Sequence, residues 1–251
     1  MNTLKKISKK KLIFDIVTVV VIALFTGVAA YINDYYHAKD VDSYLQSTEQ
    51  VKVKEIKEGY FFDGKGTEDA LIFYPGAKVE YSAYAPLMNQ LASEGIDCFL
   101  VKMPGNLAIF GSNKAEKIQE KYDYKQWYMA GHSLGGAMAA NYTAKHEKQL
   151  SGLVLLAAYS TKDISDADFP VVALYGENDQ VLNRETFEKD KTNLPKDSVI
   201  HEIPGGNHAL FGSYGAQGGD GKATISGKEQ QKETVDVIID SFLIIDSFLD
   251  D

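Results

Sequence analysis

The sequence predicts an α/β fold: a mainly parallel central sheet with helices on both faces, preceded by one N-terminal transmembrane or signal helix. Three observations lead there. Short apolar runs alternate with segments of helical period, which is the pattern of strands buried on both faces. A lysine-flanked apolar stretch opens the chain. The composition, 45% apolar and 24% charged over 251 residues, suits one sizeable domain with a short appendage.

The leader comes first. Lys5, Lys6, Lys9, Lys10 and Lys11 precede an apolar run over 16–32, and Leu12, Ile13 and Phe14 extend it across Asp15. The total reaches about the 20 residues needed to cross a bilayer. Segment 1–33 is therefore expected to be a basic n-region with a transmembrane anchor or signal segment. The lysines are expected to stay in the cytoplasm, leaving the rest of the chain outside. Val28-Ala29-Ala30 is a tolerable signal-peptidase site, and cleavage there releases a secreted protein. Asp15 and the length of the stretch favour retention as a single-pass anchor. Residues 34–50, polar and dotted with tyrosine, read as a spacer, and 51–251 as the globular domain.

Within 51–251 the elements follow in order. Val51, Val53 and Ile56 alternate with charged residues, and 59–64 reads as a strand ending in a turn. Residues 70–74 form a buried strand. Segment 81–93 has helical spacing, with Tyr84, Leu87, Met88 and Leu91 on one face and Gly95 as its stop. Then come strand 96–101, a short helix over 113–122, strand 126–130 and a helix from Leu134. Strands 153–158 and 171–175, helix 184–192, strand 198–203 and a final helix over 228–249 complete the chain. In such a sheet reactive groups gather at the carboxyl ends of the strands.

Several function classes are excluded early. The net charge is −9, and the first eleven residues carry five lysines and no acid, so the remainder carries −14. An acidic body does not bind nucleic acid by neutralising phosphates. The single cysteine, Cys98, forms no intrachain disulfide and reads as a buried thiol in a strand. No metal-ligand spacing such as His-Glu-x-x-His is present, so no metal is expected. The sequon Asn141-Tyr142-Thr143 falls inside a helix, and the echo of Asp240-Ser241-Phe242-Leu243 at 246–249 reads as a lengthened terminal helix.

The chemistry lies elsewhere. Gly131-His132-Ser133-Leu134-Gly135 joins strand 126–130 to an alanine-rich helix. A serine on so sharp a turn has a strained backbone that leaves no room for side chains at Gly131 and Gly135. Its hydroxyl is lifted out of the sheet to a helix N-terminus, where positive partial charge favours an oxyanion. A serine needs a base. His37 lies in the spacer, His132 within the turn, His146 late on the helix and His201 inside a strand; only His208, in Pro204-Gly205-Gly206-Asn207-His208, follows a late strand in a loop. Asp179 follows strand 171–175 directly and is the acid expected to orient the imidazole, with Glu177 its neighbouring alternative. For the oxyanion, the N–H of Leu134 is one expected donor; the loop after 70–74 supplies the other, Ala77 first and Gly76 second, with Lys78 adding charge beside the site.

On these residues the sequence resembles the α/β-hydrolase superfamily over about 51–251, in the order Ser133, Asp179, His208. It is more narrowly similar to a membrane-anchored or exported bacterial branch related to dienelactone hydrolases and small esterases. The turn at 131–136 matches the family's nucleophile elbow, while Tyr74-Pro75-Gly76-Ala77 stands where many members have His-Gly. The resemblance implies the α/β-hydrolase fold and hydrolysis of a carboxylic ester, a small-molecule ester or acyl substrate, through an acyl-enzyme, without cofactor. Only eleven residues, 159–169, stand where many lipases insert a lid, so a large lid is excluded. The glycine-rich stretch 211–227 is either an exposed loop or a flap that meets substrate through Tyr214 or Gln217. A peptidase or thioesterase uses the same three residues, and a cell-surface binding protein on an inactive hydrolase fold is the alternative outside enzymology.

Overall fold

A computed structural model describes residues 8–249; Lys5, Lys6, Asp250 and Asp251 lie outside the described residues. It consists of two units. The first is helix α1 (Lys9–Asn33), opened by Ser8, whose side chain accepts the Lys11 N–H at 3.2 Å. Its apolar side chains between residues 12 and 28 are exposed, and it is long and apolar enough to cross a membrane. A helix apolar all round, with no polar face, suits a membrane anchor or a signal segment.

The second unit begins at Tyr36. Its centre is an eight-stranded sheet of β1 (Lys52–Ile56), β2 (Gly59–Asp63), β3 (Asp69–Tyr74), β4 (Asp97–Val101), β5 (Gln126–His132), β6 (Gly152–Leu156), β7 (Val171–Gly176) and β8 (Val199–Ile203). The spatial order is β1-β2-β4-β3-β5-β6-β7-β8; β2 runs antiparallel to β1 and β4, and all other pairings are parallel. The mainly parallel sheet expected from the alternation of runs is what forms.

Strand periodicity divides the core into two layers. Leu71, Phe73, Cys98, Leu100, Val154, Leu156, Val172 and Leu174 face one side, packed with α2 (Ala85–Ser93) and α6 (Gly227–Leu249). Ala70, Ile72, Phe99, Val101, Met129, Leu153 and Leu155 face the other, packed with α3 (Lys114–Gln119), α4 (Leu134–His146) and α5 (Arg184–Asp190). Each such fully buried aliphatic side chain contributes on the order of 2 kcal/mol. Cys98 is buried, and its Sγ donates to Ile96 O at 3.1 Å.

Local chemistry sets the boundaries. The helix expected over 81–93 begins as a 3-10 turn, Tyr81–Tyr84, and becomes α-helical at Ala85, with Pro86 in the first turn, where its missing N–H costs nothing. α3 is shorter than the expected 113–122. α6 opens on a capping box: Ser226 N donates to Glu229 Oε2 at 2.7 Å and Glu229 N to Ser226 Oγ at 3.2 Å.

The stretch from Tyr36 to β1 packs on the α2 layer, with Val41 buried and Tyr36, Ala38, Tyr44 and Leu45 against the core. Tyr36 bridges to Val79: its N–H donates to Lys78 O at 2.7 Å, and its carbonyl accepts Glu80 N–H at 2.9 Å. The segment thereby braces the loop that follows β3.

Candidate active site

β5 runs straight into Ser133, whose backbone has φ 52° and ψ −124°, a conformation few non-glycine residues adopt. The turn is held from both sides. Ser133 N–H donates to Leu156 O at 2.9 Å, and its carbonyl receives Ala137 N–H at 3.1 Å, starting α4. A Cβ at Gly131 would lie 2.5 Å from Gly135 C, and one at Gly135 would lie 2.1 Å from Tyr74 O. The glycines expected of a strained elbow therefore stand where backbone meets backbone, and the elbow abuts the end of β3.

That end carries the second element of the site. Gly76 N–H is engaged by Tyr84 Oη at 3.2 Å. The N–H groups of Ala77 and Leu134 donate to no other described residue. Lys78 takes a positive φ of 57°, its N–H bound to Asn106 O at 2.8 Å. Tyr74, standing where a histidine is common in the family it resembles, turns its hydroxyl to the opposite layer, donating to Ser112 O and accepting from Ala115 N.

Asp179 and His208 meet directly, Nδ1 to Oδ2 at 2.9 Å, with both side chains almost fully buried. The other carboxylate oxygen, Oδ1, accepts the N–H groups of Val181 and Leu182, each at 2.8 Å, so the carboxylate has one orientation. Glu177, the neighbouring alternative, is turned away and accepts Gly205 N–H at 2.7 Å. Arg184 lies over the Tyr175 ring and donates to Gly176 O at 2.7 Å, fixing the end of β7. The His208 ring packs on His132, centroids 4.5 Å apart, and so stands beside the elbow. Ser133 Oγ itself makes no hydrogen bond to His208 among the described residues. The structure thus joins the expected base directly to the expected acid and packs the pair against the residue that precedes the serine.

The glycine-rich stretch 211–227 is tied down. Asp220 accepts Ala209 N–H on Oδ2 at 2.9 Å and Gln180 N–H on Oδ1 at 3.3 Å, linking the loop of His208 to the loop of Asp179. Asn207 Nδ2 donates to Gly221 O at 2.7 Å. Tyr214 is buried, its hydroxyl donating to Gln217 Oε1 at 3.0 Å; Gln217 is half-buried. Sequence reasoning did not find Tyr84, Asp220 or Arg184. Tyr84 lay on an apolar helical stripe and read as core. Asp220 pairs with Gln180, far back in the chain, and Arg184 folds back onto the end of β7; no local pattern announces either.

Two groups tie the site to pH. Burial works to raise the Asp179 carboxyl, but His208 and the N–H groups of Leu182 and Val181 outweigh it and hold it below the usual range. Burial, and then the neighbouring His208, push His132 well below its ordinary 6.5. For His132 the unfolded chain takes up a proton that the folded chain refuses, so stability falls as pH drops below about 6.5. For Asp179 the added stability is present above its unfolded value of about 3.8 and is lost as pH falls through the lower folded value. Thermal melts are expected to show a decline beginning near pH 6.5 and a second one below about pH 4. His132→Asn should flatten the first; an unchanged slope would assign it to other groups.

No curated protein matches the chain in sequence. The fold is similar to that of a predicted CIB-like hydrolase from Thermoplasma acidophilum, at 12% identity and TM-score 0.58 over 75% of this chain and 98% of that one. It is also similar to dienelactone hydrolase from Anabaena variabilis, at 12% identity and TM-score 0.56 over 77% and 100%. Carboxyl esterase 2 from Tuber melanosporum is similar at 13% identity and TM-score 0.56, over 83% and 91%. The family model for alpha/beta hydrolases matches residues 70–232, a stretch that holds the elbow and the Asp179–His208 pair, and the chain belongs to the alpha/beta hydrolase family.

Proposed function

We propose that the protein is a serine hydrolase that cleaves a carboxylic ester through Ser133, His208 and Asp179. The observation that carries this reading is the buried 2.9 Å pair of His208 and Asp179 packed beside a serine with φ 52°. His208 Nε2 takes the proton of Ser133 Oγ as the oxygen attacks the acyl carbon. Asp179 receives Nδ1–H, fixes the tautomer and stabilises the imidazolium. The N–H groups of Leu134 and Ala77 receive the oxyanion, which makes them the donors and leaves Gly76 to Tyr84. His208 then protonates the leaving alcohol. A water, losing its proton to the same nitrogen, attacks the acyl-enzyme, and as the acyl–Oγ bond breaks that proton passes to Ser133 Oγ, freeing the carboxylic acid and restoring the serine.

The substrate is a small ester. Residues 157–170, between β6 and β7, contain no helix, which suits a site without a lid. Lys78 and Gln217 are the substrate contacts of this reading, with Tyr214 holding Gln217 through its hydroxyl. The enzyme works outside the cytoplasmic membrane, held by α1 or released from it.

A fluorophosphonate probe applied to the full chain tests the reading. One label per chain, on the peptide carrying Ser133, is expected, followed by turnover of short p-nitrophenyl esters ahead of thioesters and peptides. Absence of label sinks the reading in favour of a binding protein; a preference for thioesters or peptides moves the reaction class and keeps the nucleophile.

A further inference from the structure

His132, between Gly131 and the nucleophile, has no part in the chemistry above, yet its surroundings are specific. The ring is buried, with Nδ1 2.8 Å from Tyr84 Oη. The same hydroxyl accepts Gly76 N–H at 3.2 Å. A phenol has one hydrogen to give. Gly76 N–H already donates to Oη, and Nδ1 is the one other hydrogen-bond partner of Oη among the described residues, so the buried hydroxyl hydrogen is satisfied only by going to His132 Nδ1, which places the proton of the neutral imidazole on Nε2. Burial keeps the Tyr84 hydroxyl protonated and His132 neutral, as this arrangement requires. Nε2 is buried and makes no well-aligned hydrogen bond among the described residues, though the His208 backbone lies close enough to favour a proton on the ring, so the ring is held chiefly by its Nδ1 contact and by packing on Tyr84, His208 and Phe211.

The space is as tight as the hydrogen bonding. A Cβ at Gly76 would lie 2.8 Å from His132 Nδ1 and 2.9 Å from Tyr84 Oη. Phe73 and Tyr214 close the cluster around the Tyr84 ring, at centroid distances of 4.9 and 6.5 Å. The chain therefore runs Gly76 N–H, Tyr84 O–H, His132 Nδ1, and it spans from the loop after β3 to the residue before the nucleophile.

We propose that Tyr84 and His132 are positioning residues that lock the Gly76–Ala77 backbone to the elbow, so that the Ala77 and Leu134 N–H groups converge on one oxyanion. The inference rests on the proposed serine-hydrolase reading. It adds the statement that the two halves of the oxyanion hole are set by one buried hydrogen-bonded link. Removing an oxyanion donor outright costs about 10²- to 10³-fold in kcat. Misdirecting one by loosening its support is expected to cost about 10- to 100-fold.

The test uses the full chain and counts active sites by the end point of fluorophosphonate labelling, then expresses kcat per labelled site. Tyr84→Phe is expected to lower kcat per site by about 10- to 100-fold, with KM within about twofold. A role confined to fold stability lowers the number of labelled sites and the melting temperature, and leaves kcat per site unchanged. His132→Asn, whose side-chain amide can replace Nδ1 as acceptor, is expected to keep most of the activity that His132→Leu loses. Should Tyr84→Phe fail to fold, the Asn and Leu variants decide alone. A kcat per site within twofold of wild type in Tyr84→Phe, or equal loss in His132→Asn and His132→Leu, overturns the proposal. Failure of the wild-type chain to label overturns the hydrolase reading instead, so the two failures are distinct.

Discussion

Ser133→Ala is expected to lower ester turnover by about 10⁴- to 10⁶-fold while leaving the melting temperature nearly unchanged. The first half follows from the proposed mechanism. Without Oγ there is no acyl-enzyme, and what survives is the acceleration supplied by binding and by the oxyanion donors. The second half follows from the structure. Ser133 Oγ makes no hydrogen bond among the described residues, and the turn is pinned by backbone groups, Ser133 N–H to Leu156 O and Ala137 N–H to Ser133 O. Alanine accepts both and tolerates φ 52° about as well as serine does. His208→Ala should cost about as much activity, and the double variant little more than either single one, because the two residues act as a unit. Short p-nitrophenyl ester kinetics with thermal melts on the same preparations check both halves. Turnover retained in Ser133→Ala would place the nucleophile elsewhere.

The parts of this molecule legible in its sequence are those whose pattern is local. Runs such as 70–74 and 153–158 are apolar throughout because both faces of a central parallel strand are buried, and that needs no partner to be recognised. The elbow was legible for the same reason: strand, glycine, serine, glycine and helix are contiguous. The loops after β7 and β8 follow their strands directly, which is why Asp179 and His208 could be singled out.

Illegible parts depend on pairings across the fold. Residues 36–45 have no period of their own, and Tyr36 becomes strand-like only because Val79, 43 positions on, offers it a backbone edge. In 211–227 the glycines suggest freedom, yet Asp220 reaches Ala209 and Gln180, the latter 40 positions away. Tyr84 carries an apolar ring that satisfies the helical stripe and a hydroxyl that bonds Gly76 N–H and His132 Nδ1. Periodicity registers the ring alone.

Gly135→Ala carries the second large effect, and on stability the largest. A Cβ there would lie 2.1 Å from Tyr74 O, 2.4 Å from Pro75 O and 2.6 Å from Tyr74 C, all of them backbone atoms. No side chain can swing aside to relieve such an overlap. Either the first turn of α4 shifts or the end of β3 does, and each carries one proposed oxyanion donor, Leu134 or Ala77. A loss of about 3 kcal/mol or more in denaturant melts is expected, together with at least a 10²-fold fall in kcat, since displacements of about 1 Å at a reacting centre have that effect. Gly218→Ala is the internal control: its Cβ would meet only Tyr36 Oη, at 3.6 Å, an ordinary contact, so both stability and turnover should stay near wild type. If Gly135→Ala were as silent as Gly218→Ala, the close seating of the elbow on β3 would be wrong, and with it the pairing of Leu134 and Ala77 around one oxyanion. If the two variants separate as expected, the glycine of the elbow is required by the neighbouring chain as much as by the turn that contains it.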